Sequence, residues 1–285
     1  MKTDVDMLLS LRIEQLLVER NLRGMADLQG HLLPGYCLRA AQKLRSCQGP
    51  VLIGTGFPVG ETFETDGPAG AIALYRAMAE RGAEPVLVTQ ERLAMSLAGD
   101  YRVEIIPPGR SAEATARVQE IVNGIRPELV ISIELPGRAV DGHYYNMRGA
   151  DISEQAFCFD DVLGLADCPS IAIGDGGNEI GMGNVQGGLA ALEIIPSATT
   201  CDELVIADVS NWAAHGLVAM LGYLADRDYL STWDNREVLE YLAVRGSLDG
   251  VTLENTLTED GMPWESGKLL VEGLRTLVSS ARGGA

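Results

Sequence analysis

"PSIAIGDGGNEIGMGN" (169–184) joins an apolar run to a loop of unusual make-up. Residues 170–173 read as a short buried strand, and the eleven residues after them carry five glycines, an aspartate, a glutamate and two asparagines. Glycine gives up side-chain packing and costs ordering entropy. Its repeated use points to unusual backbone angles or to a ligand pressed against the main chain, although a flexible surface loop would have a similar composition. The rest of the chain weighs against the surface loop. Apolar runs of the same kind recur at "PVLIGTG" (50–56), "PVLVTQ" (85–90), "YRVEII" (101–106), "ELVISIE" (128–134) and "DELVIAD" (202–208), with helical spacing over 68–82 and 111–124. Val- and Ile-rich strands separated by helices predict an α/β fold: a doubly wound, mostly parallel sheet with helices on both faces and right-handed crossovers.

The polar residues fall after the strands. "TGFPVGETFETDGPAGA" (55–71), "ELPGRAVDGHYYNMRGAD" (134–151), the opening loop and "DVSNWAAHG" (208–216) each follow an apolar run. In an open parallel sheet these ends share one edge, where ligands bind. The chain reads as one domain over 1–285: N-terminal helices over 1–49, a sheet core over 50–230, and a C-terminal extension over 231–285. In that extension Leu270, Leu274, Leu277 and Val278 form one helical stripe.

Forty acidic against 22 basic residues give a formal charge of −18. That argues against nucleic acid or an anionic membrane surface as partner. An acidic metabolite can still bind through local positive groups such as an arginine or a helix amino end, and a homo-oligomer is compatible with the composition. The cysteines, Cys37, Cys47, Cys158, Cys168 and Cys201, form no Cys-x-x-Cys pair, which suits reduced thiols in a cytoplasm. The opening "MKTDVDMLLSLRIEQLL" reads as an amphipathic helix, not a signal peptide, and no apolar stretch approaches membrane-spanning length. "GTGFPVG" and "GMGNVQG" miss the dinucleotide pattern by one residue. Neither a phosphate loop nor a serine elbow occurs, so no organic cofactor is expected.

Among the candidate residues, Asp66 serves either as a helix N-cap or in catalysis. The N–H groups over 67–70 at the start of that helix could receive a carboxylate. Glu61 reads as a solvated loop acid, while Glu64 could be a loop acid or a site acid equally. Arg138 and Arg148 could hold carboxylates bidentately or be ordinary surface arginines. Glu134 ends a buried strand and needs an arginine, an ammonium or a metal beside it. Asp175 and Glu179, with glycine neighbours that leave room for a substrate, are the acid/base candidates. Glu134, Asp160, Asp161 and Asp175 offer hard oxygen ligands suited to Mg²⁺ or Mn²⁺, with ion pairing to the arginines as the alternative. His31, His143 and His215 lack metal-ligand spacing.

"TDGPAGA", "GRAVDGHYYNMR", "GDGGNEIGMGN" and "VSNW", in this order, closely resemble the D-glutamate cyclase family over about Val51 to Gly222, with a weaker echo in "DGVT" and "DGMP". The resemblance implies an α/β fold and conversion of D-glutamate to 5-oxo-D-proline with loss of water. It carries over to Thr65, Asp66 and Gly67; to Glu134, Arg138, Asn146 and Arg148; to Asp175, Asn178 and Glu179; and to Ser210 and Asn211. Family members often have arginine after the strand-ending glutamate, where this chain has Leu135, and lysine where it has Asn184.

Such a cyclisation needs a base for the amine, a proton for the departing oxygen and stabilisation of the tetrahedral oxyanion. A cluster of acids with two arginines suits an ammonium dicarboxylate. A non-catalytic amino-acid or nucleotide-binding module, or a hydro-lyase on another small acid, fits the same residues.

Overall fold

The structure is a computed structural model that describes residues 2–283. The six apolar runs form the strands β1 (Pro50–Gly54), β2 (Glu84–Thr89), β3 (Val103–Ile105), β4 (Leu129–Ile133), β5 (Ser170–Gly174) and β6 (Glu203–Ile206). All neighbours are parallel, in the order β3-β2-β1-β4-β5-β6. Ile53 on the central strand lies opposite Leu87 on one side and Ile131 on the other. Every residue of β4 and β5 is buried, as a sheet covered on both faces requires.

Helices longer than one turn, among the described residues, are α1 (Lys2–Leu17), α2 (Tyr36–Ser46), α3 (Pro68–Glu80), α4 (Glu91–Leu97), α5 (Ala112–Ile125), α6 (Asp160–Leu165), α7 (Ser210–Leu224), α8 (Asn235–Ala243) and α9 (Trp264–Gly283). On one face α3 packs against β2 and α7, while α7 also meets α2, α9 and α1. Residues 210–222 of α7 are all buried. A helix apolar on every side belongs in the centre of a helical layer, and α7 occupies that place. α5 and α6 pack on one another and cover the opposite face, as right-handed crossovers require. The expected stripe on α9 buries Leu270, Leu274 and Val278 against this layer. In α1, the apolar Leu9, Ile13 and Leu17 are buried at four-residue spacing, beside the buried Ser10 and Glu14.

From β1 the chain winds outward through β2 to β3. α5 then carries it back to β4, beside β1, and it winds the other way to β6. The strand order reverses between β1 and β4, so the loops leaving their carboxyl ends diverge and open a crevice. Two small hairpins border it. Pro58–Val59 pairs with Thr62–Phe63 just after β1, and Thr258–Glu259 pairs with Met262–Pro263 in the tail. The tail is tied to the sheet edge by its backbone: Thr65 N donates to Leu248 O (2.8 Å) and Leu248 N to Phe63 O (3.0 Å).

α3 comes very close to its neighbours. A Cβ at Gly70 would lie 2.6 Å from Ile133 Cδ1 and 2.8 Å from Ala214 Cβ. Among the described residues, no helix is long and apolar enough to cross a membrane. The five cysteines are free: Cys37, Cys47 and Cys158 are buried, Cys168 and Cys201 partly so.

Candidate active site

The glycine-rich loop after β5 folds around one side chain. Glu179 turns back toward the strand, where its two carboxylate oxygens accept from Gly176 N (2.9 Å) and Gly177 N (2.7 Å). A Cβ at Gly174 or Gly176 would come within 2.9 and 2.8 Å of the Glu179 side chain, and Gly177 has φ +105°. The glycines are therefore the condition for enclosing this carboxyl group within its own loop.

Asp66 and Asp175 meet at the amino end of α7. Ser210 N donates to both, at 2.9 and 3.0 Å, and Asn211 N donates to Asp66 (2.7 Å). Positive helix ends attract carboxylates in this way. In return, Asn211 Oδ1 accepts from Gly67 N (2.9 Å) and Gly70 N (2.7 Å) at the start of α3. The two helices thus cap one another. The N–H groups of Gly67 and Gly70, where a substrate carboxylate was expected, already have an acceptor in Asn211, and the N-cap position itself is Gly67 rather than Asp66.

Glu134, just past β4, accepts from Ser210 Oγ (2.6 Å) and holds φ +44°, a backbone region that non-glycine residues rarely occupy. One oxygen from each of Asp66, Glu134 and Asp175 lies within 4.8 Å of the others, and all three residues are buried. This triad could hold a metal ion. The structure does not bring Asp160 and Asp161 to it. Asp160 accepts from Tyr144 OH (2.7 Å), Arg138 N and Thr199 Oγ1, and Asp161 pairs with Arg138 (2.6 Å). These residues border a broad open groove of about 1140 Å³, away from the acid cluster. Of the four acids expected to ligate together, Glu134 and Asp175 group with Asp66 instead.

A more enclosed cavity of about 320 Å³ lies over the cluster. Glu64, Glu134, Glu179 and Asp260 supply its acids, Arg23 and Arg148 its cations, and Phe57, Val59, Ile152 and Leu253 part of its apolar wall. The smaller cavity is the better site because convergent, perturbed carboxyls line it, whereas the larger groove pairs its charges off. Asn146 and Asn178 border it too; Asn178 Nδ2 donates to Tyr145 O (3.0 Å), and Asn146 Oδ1 accepts from Arg148 N (3.0 Å). Arg148 is exposed and donates to the Val251 and Gly250 carbonyls at 3.1 and 3.3 Å. Thr65 and Asn211 are fully engaged by protein: Thr65 Oγ1 donates to Leu248 O (3.1 Å), and Asn211 Nδ2 donates to Glu259 (2.9 Å).

Arg23 and Asp260 escaped the sequence reading, and Glu64, open there between loop and site, borders the cavity. Arg23, from the loop after α1, pairs with Asp175 (2.6 Å) and with Asp260 of the tail hairpin. Glu64 is buried, 7% exposed, and no donor among the described residues reaches its carboxyl group. A Cβ at Gly250 would meet that carboxyl, so the tail approaches it with bare backbone. Only the weak "DGVT" and "DGMP" echo hinted at the tail. Glu61 is exposed, as a loop acid should be.

Burial and crowding set the protonation states. Burial first, then Asp175, pushes Glu64 up to about 8 against the pull of Arg23. The same two causes raise Glu179 to about 7, opposed by backbone N–H groups and Arg23. Glu134 and Asp66 are held well above the usual carboxylate range, again by burial and then Asp175. For Arg23, burial alone would lower the pKa, but Asp175, Glu134, Glu179 and Glu64 outweigh it and raise it. One half-buried guanidinium, Arg23, stands against six buried carboxyl groups, Glu64, Asp66, Glu134, Asp175, Glu179 and Asp260, which cannot all be ionised together.

Comparison with known proteins agrees with this geometry. Residues 13–275 match the family model described as D-glutamate cyclase-like, C-terminal. The chain belongs to the D-glutamate cyclase-like family. The matched region takes in Arg23 and Asp260 at its two ends. A human relative named D-glutamate cyclase, mitochondrial, is 34% identical over 220 residues, 67% of this chain and 36% of the relative. The chain thus spans about a third of the length of that curated D-glutamate cyclase.

Proposed function

We propose that this chain is a hydro-lyase that closes D-glutamate to 5-oxo-D-proline with loss of water. The observation that carries the reading is the pair Glu179 and Glu64. Both border one enclosed cavity, and burial poises one near 7 and the other near 8. Two carboxyls of unlike protonation flanking one substrate are the requirement for acid/base work at neutral pH.

Ionised Glu179 takes a proton from the substrate ammonium, and the freed nitrogen attacks the side-chain carboxyl carbon. Protonated Glu64 gives its proton to the departing oxygen. A second nitrogen proton is lost as the ring amide forms, so two protons leave nitrogen, two arrive on the oxygen, and water departs. Glu134 borders the same cavity and offers the ammonium a carboxyl oxygen as hydrogen-bond acceptor. The apolar wall keeps bulk water from competing, and folding the substrate back inside the cavity supplies proximity.

We further propose that Asp66, Glu134 and Asp175 take Mg²⁺ or Mn²⁺, whose chemistry here would be polarisation of a carboxyl oxygen. Full activity after exhaustive chelation would remove the ion from the reading. The five free cysteines favour a reducing, cytoplasmic setting, and a disulfide in protein taken directly from cells would refute that placement.

The test of the function is chiral chromatography of a small amino-acid panel incubated with the pure protein. D-Glutamate should disappear at least about a hundredfold faster than L-glutamate, about 3 kcal/mol of discrimination at the transition state. Equal rates on the two would count against a rigid site that fixes the amine and both carboxyl groups of the substrate. Saturable binding of D-glutamate without turnover would leave a binding module.

A further inference from the structure

The cavity holds its two cations in different settings. Arg23 lies at the inner end, its side chain 20% exposed, with carboxylates of Asp175 and Asp260 on either side. Its loop is fixed from below: Asp208, at the end of β6, accepts from Arg20 N (2.8 Å) and Leu22 N (3.1 Å), and the Arg20 guanidinium lies over the Trp212 ring at 5.2 Å. Two ion pairs do not exhaust the five N–H donors of a guanidinium, and this one borders the cavity. Arg148 stands in solvent at the rim, its guanidinium tied, among the described residues, to backbone carbonyls of the tail.

We propose that Arg23 receives the carboxyl group that reacts and Arg148 the one that does not, so the substrate enters with its side-chain carboxyl inward. This orientation rests on the cyclase reading above. The inner walls carry Glu64, Glu134 and Glu179, and a substrate carboxyl group among them needs a fixed cation. Arg23 is that cation. Negative charge also grows on the reacting carboxyl oxygens as nitrogen attacks. A held guanidinium in a water-poor place stabilises that charge, whereas at the rim water and salt screen the same group. The α-carboxylate keeps its charge throughout and gains from Arg148 equally before and during reaction. Arg23 therefore acts on the rate and Arg148 on binding.

The experiment measures kcat and KM for D-glutamate in wild type, Arg23→Lys and Arg148→Gln. It adds competition by 4-aminobutyrate, which has the amine and the reacting carboxyl but no α-carboxylate. Arg23→Lys should lower kcat about a hundredfold or more with KM within about threefold, because lysine lacks the two-sided fork. Arg148→Gln should raise KM about tenfold with kcat within about threefold. 4-Aminobutyrate should compete equally well in wild type and Arg148→Gln. The reverse kinetic split, or loss of 4-aminobutyrate competition in Arg148→Gln, overturns the orientation. If Arg23→Lys does not fold, the 4-aminobutyrate comparison decides alone. Wild-type protein that neither binds nor converts D-glutamate overturns the cyclase reading itself, and the orientation with it.

Discussion

Replacing Asn211 by alanine should destabilise the fold before it disturbs any contact with substrate. The side chain is fully buried and does not border the cavity. It accepts from Gly67 N and Gly70 N and donates to Glu259 and, at 3.4 Å, to Thr65 O. Truncation has unequal consequences at these partners. Gly67 N keeps Asp66 Oδ1 at 2.9 Å, and Glu259 keeps Trp212 Nε1 and Asn235 Nδ2. Gly70 N keeps nothing. An orphaned buried N–H costs about 1–3 kcal/mol and a lost hydrogen bond to a carboxylate about 1.5–3 kcal/mol. The sum, about 4 kcal/mol at the middle of these ranges, corresponds to a fall in Tm of about 10 °C for a chain of this size. Urea denaturation followed by circular dichroism reads it directly. Asn211→Asp separates the causes, since it retains the acceptor for Gly70 N but turns a carboxylate toward Glu259. It should be closer to wild type at pH 5 than at pH 8. A loss below about 1 kcal/mol in Asn211→Ala, together with abolished D-glutamate binding, would refute this reasoning and return Asn211 to the substrate.

Other expectations are independent of that one. In metal-free buffer, Glu64, raised from 4.5 to about 8, binds more protons folded than unfolded between those values. Stability should therefore fall as pH rises across that window and level off above it; Glu64→Gln, which forfeits no protein donor, should be the more stable protein at pH 9 by at least about 1 kcal/mol in urea titrations. With Glu179 needed ionised and Glu64 needed protonated, kcat/KM should form a narrow bell with limbs near 7 and 8. Glu179→Gln should lose about a hundredfold or more in kcat, and a surviving acid limb would implicate another base. Arg138→Lys should leave KM for D-glutamate within about twofold, because Arg138 serves Asp161 in the separate groove.

The sheet was legible because its information is local. Each of the six apolar runs became a strand within one or two residues of its expected ends, and even the three-residue β3 fell inside "YRVEII". Glycine loops at strand ends marked the crevice for the same reason. Tertiary partners were not legible. Arg23 follows an ordinary amphipathic helix, and Glu64 sits in a loop with other acids. Nothing within ten residues of either reports that a tail hairpin will fold against it. Arg138 misled in the opposite sense, since its place after β4 suggested the crevice, but residues 135–139 turn it toward the Tyr144, Asp160 and Asp161 side. A motif tells where the backbone goes and leaves open which side of a loop a long side chain takes.

The Arg23–Asp260 pair also sets an order of events during synthesis. Arg23 leaves the ribosome early, and Asp175 can meet it once β5 has joined the sheet, but Asp260 arrives only after every strand has been made. Closing so long a loop is entropically the costliest step in assembling the site, so the wall formed by Gly250, Leu253 and Asp260 is the last to settle. By the same logic it is the first to open. Amide hydrogens of the 258–263 hairpin should exchange well before those of β1 and β4, and the site should be unmade and remade many times within the lifetime of one folded sheet.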